Sequence, residues 1–143
     1  MTISVITTRR RLVLFVDDEP SLRKTVTSHL TSLGMDVVAI GDGDSALEAM
    51  RKRPPDLVCL DVKLPKISGY EVCEQIRSDP AFDDVVVLMT SHRVSLEARA
   101  YSYEAGANAY LGKPYTMDQL ARAVRRLLEP APDDGAELSL KLA

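Results

Sequence analysis

Five short, mostly hydrophobic runs recur along the chain, and each is followed by a polar turn and an amphipathic segment. Apolar runs of this length are typical of strands that are covered on both faces of a sheet. The sequence predicts strands over 12–16, 37–40, 57–60, 85–89 and 108–111.

The segments between these runs carry apolar residues at helical spacing, so we predict a helix after each strand. The first begins at Pro20, which suits a first helical turn, and ends at Gly34. A turn over 41–44, with a cap from Asp44 or a neighbour, precedes the second helix. The other helices are predicted over 68–78, over 95–105, and from a cap at Thr116 to Leu128.

The helix over 95–105 differs from the others because its apolar face is thin. Only Leu96, Ala100 and Tyr103 contribute to that face. A helix with so little apolar surface is anchored weakly, and we expect it to shift or to bind a partner.

Strict alternation of strands and helices predicts one parallel sheet with helices on both faces. Right-handed crossovers then favour a five-stranded, doubly wound α/β/α sandwich of the flavodoxin-like kind. We predict a single domain over 11–128, preceded by a flexible leader over 1–10 and followed by a C-terminal tail over 129–143.

Composition narrows the class of protein further. The 143 residues are 45% hydrophobic, which is enough for a packed core, and the net charge is −3. No basic stripe or long apolar run is present, so we expect neither direct nucleic-acid binding nor membrane insertion. The two cysteines do not form a disulfide framework, and we expect a cytoplasmic protein with reduced thiols.

Polar side chains follow four of the predicted strands. They are Asp17 and Asp18, Asp61, Thr90 and Lys113. The carboxyl ends of parallel strands lie along one edge of a sheet, so these residues should converge in a crevice. Each residue alone also has a simpler interpretation, as a helix cap or a surface lysine, but their joint placement favours a site.

Three neighbouring carboxylates would repel one another and raise one another's pKa values. A hard divalent cation relieves that repulsion, and carboxylate and carbonyl oxygens suit Mg²⁺. Asp61 could act as a nucleophile towards phosphorus, with Lys113 supplying positive charge and Thr90 a hydrogen-bond donor. Phosphoryl transfer depends mainly on such positioning and charge neutralisation.

At these residues the chain resembles the receiver domain of two-component response regulators, in particular the stand-alone, chemotaxis-regulator-like kind. The resemblance runs from about Arg11 to about Leu128. It rests on an ordered set of motifs: Val16-Asp17-Asp18-Glu19-Pro20, Leu60-Asp61-Val62-Lys63-Leu64-Pro65 with Gly69, Met89-Thr90-Ser91, and Gly112-Lys113-Pro114-Tyr115.

The resemblance implies a role for each site residue. Asp61 would accept a phosphoryl group from the histidine of a sensor kinase or a histidine phosphotransfer protein. Asp18, Asp61 and the backbone carbonyl of Lys63 would bind Mg²⁺ directly, and Asp17 mainly through water. Lys113 would pair with the phosphoryl group.

The resemblance also implies a switch made by Thr90 and Tyr110. Tyr110 would turn inward when Thr90 is drawn to the phosphoryl group, although the aromatic ring could instead simply pack. The face formed by the fourth helix, fifth strand and fifth helix would then bind a downstream protein. The chain would be a signalling phosphoacceptor rather than an enzyme, and either a monomer or a phosphorylation-dependent dimer.

Two positions depart from the commonest pattern of the family. Lys63 stands two residues after Asp61, and His92 two residues after Thr90. Both positions flank the path of the water that hydrolyses phospho-aspartate in the family. Lys63 and His92 therefore either tune the phosphate lifetime or are ordinary solvated side chains.

The sequence leaves three other interpretations open. A degenerate receiver could act as a docking module without phosphorylation. A haloacid-dehalogenase-like phosphatase would need a second acid where Lys63 stands. A flavodoxin would need a loop after the first strand that accepts a flavin phosphate, but the acidic residues 17–19 would repel it. No output domain is recognisable after Leu128, so we expect either a single-domain regulator or a receiver cut from a longer protein.

Overall fold

The computed structural model describes residues 9–129. The tail after Glu129 and all but the last two residues of the predicted leader lie outside the described residues. The strands are β1 Leu12–Val16, β2 Asp36–Ile40, β3 Leu57–Asp61, β4 Val86–Ser91 and β5 Ala109–Gly112. The helices are α1 Pro20–Ser32, α2 Gly43–Lys52, α3 Gly69–Ser78, α4 Leu96–Glu104 and α5 Met117–Leu128, with a short 3₁₀ turn over Pro80–Phe82.

The five strands form one parallel sheet in the order β2-β1-β3-β4-β5. Successive side chains of β1 enter opposite layers: Leu14 and Val16 join the core beneath α2 and α3, while Val13 and Phe15 join the core beneath α1 and α5. The predicted flavodoxin-like sandwich is confirmed. Within residues 9–129, no helix has the length and apolar character needed to cross a bilayer.

The strand ends differ by a residue or two from the predictions. β3 includes Asp61, and β4 runs from Val86 through Thr90 and Ser91. β5 begins at Ala109 instead of Asn108. The side chain of Asn108 explains this shift, because its oxygen accepts a hydrogen bond from the backbone N–H of Val87 at 2.8 Å.

The helix starts follow their caps. Asp42 caps α2 through the N–H of Ser45 at 2.8 Å, so the helix begins inside the predicted turn, at Gly43. Ser68 and Ser95 are N-caps, and the helices that they precede therefore start one residue later than predicted. Thr116 caps α5 as predicted and forms a capping box with Gln119.

The face that α4 buries is not the predicted one. Leu96 is 84% exposed, and Ala100 and Tyr103 are also exposed. The helix rests instead on Ala98 and Ser102, which are buried. Small side chains allow α4 to lie close to the sheet, but they bury little apolar surface.

Candidate functional site

Three carboxylates meet at the carboxyl edge of the sheet. Asp17 follows β1, and its N–H donates to the carbonyl of Ile40 at 3.0 Å, while Asp61 ends β3. Asp17 and Asp61 are 1% and 6% exposed, and Asp18 is exposed. One oxygen from each of the three lies within 4.8 Å of the others. The predicted convergence is therefore present.

Lys113 reaches into this cluster from the loop after β5. Its Nζ donates to Asp17 Oδ2 at 2.6 Å and to Asp61 Oδ2 at 3.2 Å. The backbone N–H of Lys113 donates to the carbonyl of Ser91 at 2.8 Å, which fixes the loop to β4. The side chain is only 8% exposed, so Lys113 is not a solvated surface lysine.

Burial and charge act against each other in this cluster. Burial raises the pKa of Asp61, Lys113 lowers it and Asp17 raises it again, and the net shift is upward. Burial lowers the pKa of Lys113, but the hydrogen bond to Asp17 and the charges of Asp61 and Asp17 outweigh it, so that pKa is raised. Lys113 is therefore charged at neutral pH, but one ammonium cannot neutralise three carboxylates.

The donor set fits Mg²⁺. Mg²⁺ prefers carboxylate and carbonyl oxygens and keeps several waters. Asp17, Asp18 and Asp61 offer three oxygens near one another at the mouth of the crevice, where Asp18 is open to solvent. A divalent cation here would also offset the excess negative charge that Lys113 leaves.

Thr90 lies beside Asp61 in the sheet. The two residues are register partners in β3 and β4, and Thr90 is 1% exposed. The N–H of Val62 donates to the Thr90 carbonyl at 2.9 Å, which extends the pairing beyond Asp61. Since Ser95 caps α4, Thr90 does not serve as the cap of that helix.

Tyr110 on β5 is partly buried, and its ring packs against the core beneath α2 and α3. Its hydroxyl is buried and has no hydrogen-bond partner within residues 9–129. The guanidinium carbon of Arg99 on α4 lies 5.7 Å from the centre of the ring, within the range of a cation–π contact. The structure thus holds Tyr110 with its polar end inside.

The crevice beside Asp61 is lined by both positions that depart from the family pattern. Lys63 and His92 have exposed side chains at its rim. The N–H of Lys63 points to Asp61 Oδ1 at 3.4 Å, a long contact. Tyr70 and Arg93 also line the crevice, and the sequence motifs predict no role for them. The available signals were the position of Tyr70 directly after Gly69 and that of Arg93 two residues after the end of β4.

Tyr115 was not predicted as part of the site either. Its hydroxyl is buried and lacks a hydrogen-bond partner among the described residues. Burial raises the pKa of Tyr115, and the nearby carboxylates of Asp17 and Asp61 add to the effect. Tyr115 therefore stays protonated next to the acidic cluster.

A family model described as "Response regulator receiver domain" matches residues 13–125. Response regulator MprA of Mycobacterium leprae is 38% identical over 126 residues, which are 87% of this chain and 54% of that protein. DNA-binding response regulator MtrA of Mycolicibacterium smegmatis is 37% identical over 131 residues, 92% of this chain and 56% of that protein. The chain spans about half the length of these curated relatives.

Solved structures agree with the sequence relatives. The chemotaxis response regulator CheY4 of Vibrio cholerae is 29% identical, with a TM-score of 0.81 over 84% of this chain and all 100% of that chain. A putative response regulator of Chloroflexus aurantiacus is 32% identical, with a TM-score of 0.79 over 84% and 98%. Because the family model covers most of the sheet and the site, the chain belongs to the receiver domain family of two-component response regulators.

Proposed function

We propose that Asp61 accepts a phosphoryl group from the phosphohistidine of a sensor kinase or a histidine phosphotransfer protein. The observation that carries this proposal is the position of Asp61 at the end of β3, 6% exposed, with Asp17 and Lys113 against it. An oxygen of Asp61 attacks phosphorus while the bond from phosphorus to the histidine nitrogen breaks, and the electron pair stays on the imidazole. Reactions of this kind need positioning and charge neutralisation more than covalent help.

The residues around Asp61 divide this work. Asp17, Asp18, Asp61 and the backbone carbonyl of Lys63 would hold Mg²⁺, which supplies positive charge to the phosphoryl oxygens when it is bound. Lys113 already contacts Asp61 at 3.2 Å, and it pairs with the phosphoryl oxygens after transfer. The depth of the site excludes bulk water from most of Asp61.

Thr90 and Tyr110 transmit the state of Asp61. A phosphoryl group draws the hydroxyl of Thr90, the register partner of Asp61, and the vacated space stabilises the inward position that Tyr110 already has in this structure. A nearly complete conversion of the population needs about 5.5 kcal/mol. One hydrogen bond to a charged group contributes roughly 1.5–3 kcal/mol, so Thr90 acts together with Lys113 and the loops.

The proposed output is a change in the face formed by α4, β5 and α5, which binds a downstream protein. One relative is named DNA-binding, but this chain spans about half of that protein. We propose that residues 11–128 act through protein contact, without touching nucleic acid themselves, as a monomer or a phosphorylation-dependent dimer. Lys63 and His92, at the crevice rim, would tune how long the phosphoryl group survives.

The competing function is a docking module that is never phosphorylated. Mg²⁺ with beryllofluoride, a stable mimic of the phosphoryl group, separates the two. We expect saturable NMR shifts at the amides of Val62 and Ser91 that need both additives in the wild type and are lost in Asp61→Asn. A response to Mg²⁺ without any further response to beryllofluoride would favour the docking module.

A further inference from the structure

Helix α4 is held to the domain by unusually few apolar contacts. Among its residues only Ala98 and Ser102 are buried, and the hydroxyl of Ser102 donates to the Ala98 carbonyl within the same helix at 3.1 Å. Leu96, at the start of the helix, is 84% exposed. The position of α4 therefore depends on contacts made by its partly exposed side chains.

One of these contacts joins α4 to the wall of the crevice. The rings of Tyr70 and Tyr101 have centroids 4.5 Å apart and are tilted by 52°, a favourable geometry for an aromatic pair. Tyr70 lies in the first turn of α3 and lines the crevice that contains Asp61. Tyr101 is 54% exposed on α4. The pair thus spans from the phosphoacceptor crevice to the loosely held helix.

Tyr70 is also tied to the backbone of Asp61. Gly69, its neighbour, lies so close to this backbone that a Cβ at position 69 would overlap the Asp61 carbonyl oxygen. The N–H of Gly69 donates to the carbonyl of Val62 at 2.8 Å. The first turn of α3 is therefore pressed against the strand end, and a displacement of Asp61 or Val62 must move Tyr70.

We propose that Tyr70 is a positioning residue that couples the state of Asp61 to α4 through Tyr101. The route runs along the α3 side of the crevice and is separate from the route through Thr90 and Tyr110. It deepens the proposed function and rests on it, because it requires a phosphoryl group or its mimic at Asp61.

The contact between Tyr70 and Tyr101 is separate from the contact that α4 makes with β5. Arg99 approaches the ring of Tyr110, on the β5 side of α4. Tyr101 approaches Tyr70, on the α3 side. The helix therefore has one aromatic contact to each neighbour. The two contacts share no residue, so a substitution can remove one without removing a residue of the other.

The test is NMR of the full chain with Mg²⁺ and beryllofluoride, comparing amides near Asp61 with amides of α4. In the wild type we expect shifts at Val62 and across α4. In Tyr70→Leu we expect the Val62 shift to remain and the population of the shifted α4 state to fall by roughly two- to tenfold, the range that an aromatic pair can supply. Tyr70→Phe keeps the ring and should behave as the wild type.

The matched control is Tyr103→Leu, which removes a tyrosine that is 47% exposed on the same helix. It should leave the α4 response unchanged. Tyr101→Leu removes the other half of the pair from an exposed position and tests the same contact if Tyr70→Leu does not fold. Wild-type α4 shifts in Tyr70→Leu, or in Tyr101→Leu, would overturn the coupling. A wild type with no shift at Val62 would overturn the proposed function, and this inference with it.

Discussion

At the scale of single residues, the acidic cluster combines three carboxylates with one ammonium. Lys113 satisfies Asp17 and Asp61 at 2.6 and 3.2 Å, but Asp18 has no such cation within the cluster. The site therefore carries excess negative charge, which works against folding until a cation binds. Stability and metal binding are linked for this reason.

We predict opposite effects of Asp18→Asn with and without Mg²⁺. In EDTA the substitution should raise the free energy of unfolding, because it removes one of the mutually repelling charges. In excess Mg²⁺ the wild type should gain stability by linkage, while the variant gains little. Urea unfolding at low salt measures both effects, with Asp84→Asn, an exposed acid outside the cluster, as the control. If Mg²⁺ stabilised Asp18→Asn as much as the control Asp84→Asn, Asp18 would not be a ligand of the metal.

Asp56, the residue before β3, carries a partly buried carboxylate that has a structural role. It accepts a hydrogen bond from the N–H of Leu12 at 2.7 Å and one from Arg9 at 2.9 Å. The hydrogen bond from Arg9 and that from Leu12 lower the pKa of Asp56 against the opposing effect of burial. The folded pKa then lies below the unfolded value, so this stabilisation is present above about pH 4 and is lost as the pH falls through the folded pKa.

We predict that Asp56→Asn lowers the free energy of unfolding by about 1–3 kcal/mol at pH 7, since the substitution removes the charge that strengthens these hydrogen bonds and replaces one acceptor oxygen by a donor. The difference in the free energy of unfolding between the variant and the wild type should become smaller as the pH falls below about 4. Urea unfolding from pH 7 to pH 3 tests this, with the exposed Glu48→Gln as a control that should differ little from the wild type at any pH. A difference that stays constant with pH would mean that the charge of Asp56 is not the cause.

At the scale of elements, the start of α3 is fitted to the end of β3. Gly69 leaves no room for a Cβ beside the Asp61 carbonyl, and Gly43 at the start of α2 is packed against Val72 and Ile67. The contact of Gly69 sets the distance of α3 from the end of β3, and that of Gly43 sets the distance of α2 from α3. They also make the position of Asp61 depend on a neighbouring helix.

We predict that Gly69→Ala displaces the end of β3. The added methyl must push against backbone atoms, and overpacking of this kind costs about 1–3 kcal/mol. The rate of phosphorylation by a small phosphodonor should fall along with stability. Gly41→Ala is the comparison, because its Cβ would meet the end of the Arg23 side chain at 3.0 Å, and that side chain can move. Equal phosphorylation rates in Gly69→Ala and the wild type would contradict the tight fit.

The elements also show what the sequence could predict. The order of the strands and helices, the cap at Thr116 and the convergence of the acids follow from local patterns and from the geometry of parallel sheets. The buried face of α4 could not be predicted from hydrophobic periodicity. Ala98 and Ser102 are buried because their small side chains allow the helix to pack closely against the sheet. The contact of Tyr70 with Tyr101 joins two helices whose spacing no local pattern specifies.

At the scale of the whole molecule, the sheet brings residues from four strand ends to one site and leaves a loosely held helix beside it. Asp61 and Thr90 are register partners, and Lys113 is fixed to Ser91, so the site is rigid on its sheet side. Helix α4, by contrast, buries mainly two small side chains. A rigid acceptor beside a movable helix is the arrangement that a phosphorylation switch needs.

The central claim, that Asp61 is the phosphoacceptor, is tested most directly by intact-protein mass after incubation with Mg²⁺ and acetyl phosphate. We predict one added phosphoryl group in the wild type and in the control Asp84→Asn, and none in Asp61→Asn or in the presence of EDTA. An adduct that persists in Asp61→Asn would contradict the assignment. So would a wild type that gains no phosphoryl group and also fails to bind beryllofluoride.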